Sequence, residues 1–210
     1  MGPFLTEHET AVVALFFKGY GIRSRGVRTR MAMARVYILT GMPGAGKEEF
    51  VKVAVEQGYR VVRMGDVVRQ EAIRRNVNMD DRGVGGFASE ERRIEGAGIW
   101  AHRCIPLLED HDFVIDGSRS VHELEVFRGE LGDRVRLVAI YASPEKRFER
   151  LKRRNRSDAP QTWEAFRERD AREIGWGLGE LIDRADIVLT NEGALEEFHA
   201  KVREELGRPW

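Results

Sequence analysis

Apolar residues along this chain come in short runs whose period changes from one run to the next. Val36–Thr40 is a brief apolar run that ends in a glycine-rich turn. After the turn, Phe50, Val51, Ala54 and Val55 recur at helical spacing, so Lys47–Gln57 reads as a helix that Gly58 ends. Arg60–Arg63 reads as a second strand, and Asp66–Asn76 as a helix with Asp66 in place to cap it. Asn78–Gly86, rich in Gly and Asp, reads as a loop, and Ser89–Asp110 as one long helix weakened by Gly96 and Gly98. Phe113–Asp116 is a third strand, Val121–Leu131 a helix and Val135–Ala142 a fourth strand. Pro144–Arg154 is a helix with proline in its first turn. A polar loop, Asn155–Pro160, leads to a helical stretch from Gln161 to about Trp176. Asp186–Thr190 is a fifth strand and Leu195–Leu206 a closing helix.

Strands separated by helices imply right-handed crossovers and an α/β fold in three layers. Helices flank both faces of a five-stranded, mostly parallel sheet. Ligands of such sheets sit beyond the carboxyl ends of the strands. Three strands end in polar pairs suited to a site, Thr40-Gly41, Asp116-Gly117 and Thr190-Asn191, which places one site at one edge of the sheet.

The first 34 residues differ from the rest, with two acidic and five basic side chains and Arg23, Arg25, Arg28 and Arg30 set among small residues. A disordered basic arm, an Arg-rich targeting segment and sequence upstream of the true start, with Met31 or Met33 as that start, all fit this pattern. The folded domain is expected over residues 35–210. The longest early apolar run, Ala11–Phe17, follows Glu7 and Glu9, which argues against a signal peptide, and no run approaches the ~18 apolar residues of a membrane span.

Composition narrows the picture further. A chain of 210 residues with 42% hydrophobic content has enough material for one α/β domain with a sizeable core. Its 35 basic and 35 acidic side chains cancel, so no overall charge draws it to nucleic acid or membrane. The single cysteine, Cys104, cannot form an internal disulfide and fits a reducing, cytoplasmic setting. His102 stands beside it, but a zinc site would need about four ligands, so Cys104 is expected to be packed and inert.

Gly41-Met42-Pro43-Gly44-Ala45-Gly46-Lys47 matches the phosphate-loop pattern G-x-x-x-x-G-K-[ST] except at its last place, with a strand before it and a helix after. The glycines let successive backbone N–H groups turn toward a phosphate, and the helix start adds positive potential. Lys47 supplies charge for the β- and γ-phosphates. Glu48 stands where a hydroxyl usually binds Mg2+. A carboxylate is a good oxygen ligand for magnesium, yet it adds a like charge beside a polyphosphate, costing about 4 kcal/mol at ~4 Å and an effective dielectric of 20. Glu48 is therefore either a metal ligand or a first-turn helix acid turned away.

With these motifs in order, the sequence resembles nucleotide kinases of the adenylate kinase and dephospho-CoA kinase group. It resembles more closely an archaeal family of adenylate-kinase-like P-loop proteins. The resemblance runs from about Arg35 to Gly193. It rests on Gly41–Glu48, on Met64-Gly65-Asp66-Val67-Val68-Arg69, on Val114-Ile115-Asp116-Gly117-Ser118-Arg119, and on the Arg-rich stretch near Arg147–Arg156. Ala185–Gly193 is similar to the last strand of dephospho-CoA kinases. The resemblance implies a P-loop kinase fold with a small helical lid over about residues 147–176. It also implies ATP and Mg2+ as cofactors and phosphoryl transfer to a small acceptor such as a nucleoside monophosphate or a coenzyme-A precursor. Ser118 and Ser120 depart from the D-G-F-P-R pattern, which leaves the acceptor open, and the short lid has no cysteines.

The resemblance implies roles for single residues. Lys47, Asp116, Arg119 and Arg154 would be catalytic, with Glu48 and Asp116 toward Mg2+. Asp66, Arg69 and Arg119 would face the acceptor, Arg119 clamping its phosphate with a two-pronged guanidinium. Asp116 also fits a simple turn before Gly117, and Asp66 with Arg69 a cap and a solvated arginine. Arg147, Arg150 and Arg154 share one helical face and, with Arg153 and Arg156, read either as a phosphate-covering lid or as a solvated face paired with Glu145 and Glu149. Arg167, Arg169 and Arg172 interleave with acids as a surface network. Trp163, Phe166 and Trp176 are expected in core or lid packing, and Asn191, by resemblance, near the adenine. Two function classes stand: a kinase, and an ATP-binding regulatory protein with little or no turnover.

Overall fold

The computed structural model describes residues 34–109, 111–154 and 159–209. The basic extension and Arg156 lie outside the described residues. A five-stranded sheet has the order β2-β3-β1-β4-β5, with β1 Val36–Thr40, β2 Arg60–Arg63, β3 Phe113–Asp116, β4 Val135–Tyr141 and β5 Ile187–Thr190. Every pairing is parallel. All the carboxyl ends therefore fall on one edge, and β1, whose five residues are all buried, delivers Gly41 to the middle of it.

Two cores sandwich this sheet. On one face, α1 (Lys47–Glu56) and α9 (Leu195–Leu206) pack Phe50, Val53, Phe198 and Val202 against Tyr37, Leu39, Val138 and Ile140. On the other face lie α2 (Met64–Arg74), α3 (Asp81–Glu95), α4 (Ile99–Cys104), α5 (Val121–Leu131) and α8 (Leu178–Asp183). There Trp100, Leu124, Phe127 and Leu181 cover Ile38, Ile115 and Leu137. Alternation along β1 divides its side chains between the faces, as period-two strands require.

Three element boundaries differ from the sequence expectation. Asn78–Gly86 is not all loop: Asp80 accepts a hydrogen bond from the Gly83 N–H and starts α3 at Asp81. The expected long helix is two, because Gly96 takes a left-handed φ of 101° and breaks the chain between α3 and α4. The helix after β2 begins at Met64, so Asp66 lies inside its first turn and does not cap it. A further short helix, α8, was not expected. Cys104 is buried against this core, and burial pushes its thiol up to about 12, as an inert packed side chain requires.

Candidate functional site

The turn after β1 is built for close approach. The Ala45 N–H donates to the Met42 carbonyl at 3.1 Å, and α1 then starts from the Gly46 carbonyl. Gly44 and Gly46 both have positive φ, 83° and 115°, and neither leaves room for a side chain. A Cβ on Gly44 would meet the Arg147 carbonyl at 2.8 Å, and one on Gly46 would collide with the Asn191 amide. No side chain caps α1, so its first backbone donors are left for an anion. The loop is clamped from outside: Asn191 donates to the Ala45 carbonyl at 2.8 Å, and Arg150 to the Asn191 carbonyl at 2.9 Å. Arg147 donates to the Pro43 carbonyl at 3.2 Å. The Asn191 amide, expected near the adenine, is thus engaged by the loop backbone.

Lys47 bends back over the loop and donates to the carbonyls of Gly41 and Met42. Burial lowers its pKa to about 8, while Asp116 pulls it up and Arg119 pushes it down. Asp116 is set at the end of β3 beside β1, and its Oδ1 is buried with no hydrogen-bond partner. Burial raises its pKa above the ordinary carboxylate value, against the pull of Lys47 and Arg63.

Arg63, which sequence reasoning passed over as a strand residue, joins the two candidate metal ligands. It donates to Glu48 at 2.9 and 3.2 Å and to Asp116 at 3.3 Å. The pairing of β2 with β3 places Arg63 opposite Asp116 at the same edge. Glu48 is therefore not turned away as a free first-turn acid; its charge is matched by a guanidinium, which offsets the repulsion that a carboxylate here would exert on phosphate. Mg2+ is commonly held by one or two carboxylates with phosphate oxygens completing the shell. Glu48, Asp116 and its unpartnered Oδ1 fit that pattern, and the described residues hold no cluster of three or more His, Cys, Asp or Glu that could bind a metal by protein ligands alone.

One cleft is lined by Gly44, Gly46, Lys47, Glu48, Asp116, Arg119, Arg154, Arg169 and Glu173. The structure thus brings Arg119 and Arg154 to the loop. The Asp116–Arg119 turn is held by buried Glu123, which accepts from the Arg119 N–H at 2.8 Å, from the Ser118 hydroxyl at 3.2 Å and from Arg92 at 3.1 Å. Ser120 caps α5 by accepting from the Glu123 N–H. The serines that depart from the expected motif therefore serve the turn, and the signal for them was the S-x-x-E spacing of a capping box. Asp66 and Arg69 are not brought to the cleft. They pair with each other at 3.2 Å on an exposed face of α2, one helical turn apart.

The region expected to form a lid consists of α6 (Pro144–Arg154) and α7 (Trp163–Gly175). Arg147 is not an exposed lid cation: it is 4% exposed, pairs with Asp170 at 2.9 Å and so ties α6 to α7. Phe148, Trp163 and Phe166 pack together between these helices, with Trp163 and Phe166 stacked at 5.0 Å, whereas Trp176 is exposed. Arg119 meets Glu173 of α7 at 3.2 Å, so α7 touches the arginine expected to clamp the acceptor. No described helix is long and apolar enough to cross a membrane.

Known proteins match this arrangement. A family model described as an AAA domain matches residues 40–167, over half of the chain and inclusive of the loop. The UPF0200 protein of Methanosarcina mazei is 40% identical over 83% of this chain and 95% of its own length. That of Methanopyrus kandleri is 46% identical over 79% of this chain and 85% of its own. A solved structure from Thermus thermophilus, TT1252, superposes with a TM-score of 0.56 at 18% identity, over 82% of this chain and 96% of that one, which is a likeness of fold. Domains of this P-loop kind generally bind a nucleoside triphosphate with Mg2+. With a family model over more than half of its length and relatives 40% and 46% identical over most of both chains, this chain belongs to the archaeal UPF0200 family of P-loop proteins.

Proposed function

We propose that this protein is a kinase that binds ATP with Mg2+ at Gly41–Glu48 and passes the γ-phosphoryl group to a small nucleotide-like acceptor. The observation that carries this reading is the convergence of the glycine loop, Lys47, half-buried Asp116, Arg119 and Arg154 on one cleft. Phosphoryl transfer asks a protein for alignment and for neutralisation of spread-out negative charge. Lys47 would neutralise the β- and γ-phosphates, and Arg119 and Arg154 the transferred group and the acceptor. Glu48 and Asp116 would hold the metal, which would supply positive charge against the phosphates. The bond from the γ-phosphorus to the β–γ bridging oxygen breaks with its electron pair leaving on ADP, while an acceptor oxygen forms the new bond; a phosphate oxygen enters unprotonated, and a hydroxyl gives its proton to solvent. Arg119, not Arg69, is the main acceptor contact, because Arg69 is engaged with Asp66 outside the cleft.

The test is ADP release against a panel of nucleoside monophosphates and coenzyme-A precursors. An acceptor-dependent signal is expected in the wild type, falling at least ~100-fold in Asp116→Asn while ATP still binds. One observation favours a second reading, an ATP-binding regulatory protein: Arg63 already holds both carboxylates that a metal would use. ATP binding with no acceptor-dependent ADP from any acceptor would favour that protein over the kinase.

A further inference from the structure

Arg63 lies between Glu48 and Asp116, the two carboxylates proposed to face a metal at the phosphate loop. Sheet register sets it there, opposite Asp116 and within reach of Glu48 on the first turn of α1. All three side chains border one open pocket, together with Arg154, Lys52 and Glu49, the last engaged by Lys52 and His199. Neither Arg63 nor Glu48 is sealed in the core, with side chains 36% and 40% exposed. A long guanidinium arm in that position can leave its partners without disturbing the packing around it. The usual loop places a neutral hydroxyl at this point and needs no counter-cation. Here a carboxylate and a guanidinium occur as a matched pair.

We infer that Arg63 is a displaceable counter-cation, holding Glu48 and Asp116 in the nucleotide-free protein and releasing them when a divalent cation enters, so that guanidinium and metal exclude one another. The inference rests on the proposed orientation of Glu48 and Asp116 toward the metal. A guanidinium bound to both acids withdraws the oxygens that a metal needs, so the nucleotide-free site resists metal. Phosphate oxygens offer Arg63 a new two-pronged partner. Nucleotide and metal then enter together, and the acids are freed only when both are present.

The experiment titrates Mn2+, followed by the electron paramagnetic resonance of the free ion, into the full nucleotide-free chain. Wild type, Arg63→Gln and the double variant Arg63→Gln with Glu48→Gln are compared. Arg63→Gln is expected to bind Mn2+ at least ~10-fold more tightly than the wild type, and the double variant to lose that gain. Equal affinity in Arg63→Gln and wild type, in a variant whose thermal melt remains cooperative, would overturn the inference. Should Arg63→Gln not fold, Arg63→Met carries the test. It keeps the aliphatic stem and removes the charge, so a gain in Mn2+ affinity supports competition and no gain overturns it. A parallel titration of ATP in EDTA keeps the two claims apart. Failure of ATP to bind defeats the phosphate-loop reading, whereas failure of the Mn2+ gain defeats only the role of Arg63.

Discussion

Lys47 carries a testable electrostatic signature. Burial lowers its pKa to about 8 in the nucleotide-free protein, and a bound phosphate, by opposing that, would raise it. The bound state therefore holds more protons than the free state, so ATP affinity falls as pH rises through about 8. Calorimetry between pH 7.5 and 9.5 should show a nearly level affinity at the low end and a loss approaching ~10-fold per pH unit at the high end. Lys47→Met should bind weakly and without that dependence. Asp116 leads to a different expectation. Its native pKa is raised, so at pH values above the unfolded carboxylate value of ~3.9 its charge costs the fold stability, and the cost is relieved as pH falls through the native value. Asp116→Asn should leave the Tm unchanged or raise it by up to ~4 °C while lowering the proposed transfer at least ~100-fold, the trade-off of a residue kept for function. Lys47 and Asp116 were both legible in the sequence because the loop motif and a strand-terminal acid are local patterns. Arg63 was not, because its meaning depends on which residue of a neighbouring strand lies opposite it, and register is a property of the folded sheet.

At the level of elements, the pair between Arg147 and Asp170 joins α6 to α7 and also supports the phosphate loop through the Pro43 carbonyl. Removing one partner leaves the other nearly buried and uncompensated. Arg147→Ala should cost about 3–5 kcal/mol, read as a lower urea midpoint, and the double change Arg147→Met with Asp170→Leu should cost less than the single one. The strands and the helices next to the loop were readable from period and punctuation, since β1, α1 and β4 carry strong apolar patterns. The start of α3 at Asp81 was not legible because the cap at Asp80 outweighs the glycines that follow it, nor was the full break at Gly96, where one left-handed glycine outweighs helix-forming neighbours. The buried role of Arg147 was hidden for another reason. An arginine on an Arg-rich helix reads as solvated until the second helix that covers it is known.

Across the whole molecule, the parallel order β2-β3-β1-β4-β5 gathers the ends of β1, β2 and β3 at one edge. Gly41, Arg63 and Asp116 become neighbours there although they are far apart in the chain. Strand–helix alternation was enough to expect that edge. The order of the strands, and with it the meeting of Glu48, Arg63 and Asp116, emerges only from the packed sheet. The central claim is that this edge is a working nucleotide site despite Glu48. Calorimetric titration of ATP into the purified protein, with Mg2+ and with EDTA, beside a Glu48→Ser variant, tests it most directly. One ATP per chain, bound by the wild type and more tightly with Mg2+, is the expected result. No binding by the wild type, or binding by Glu48→Ser alone, would contradict it.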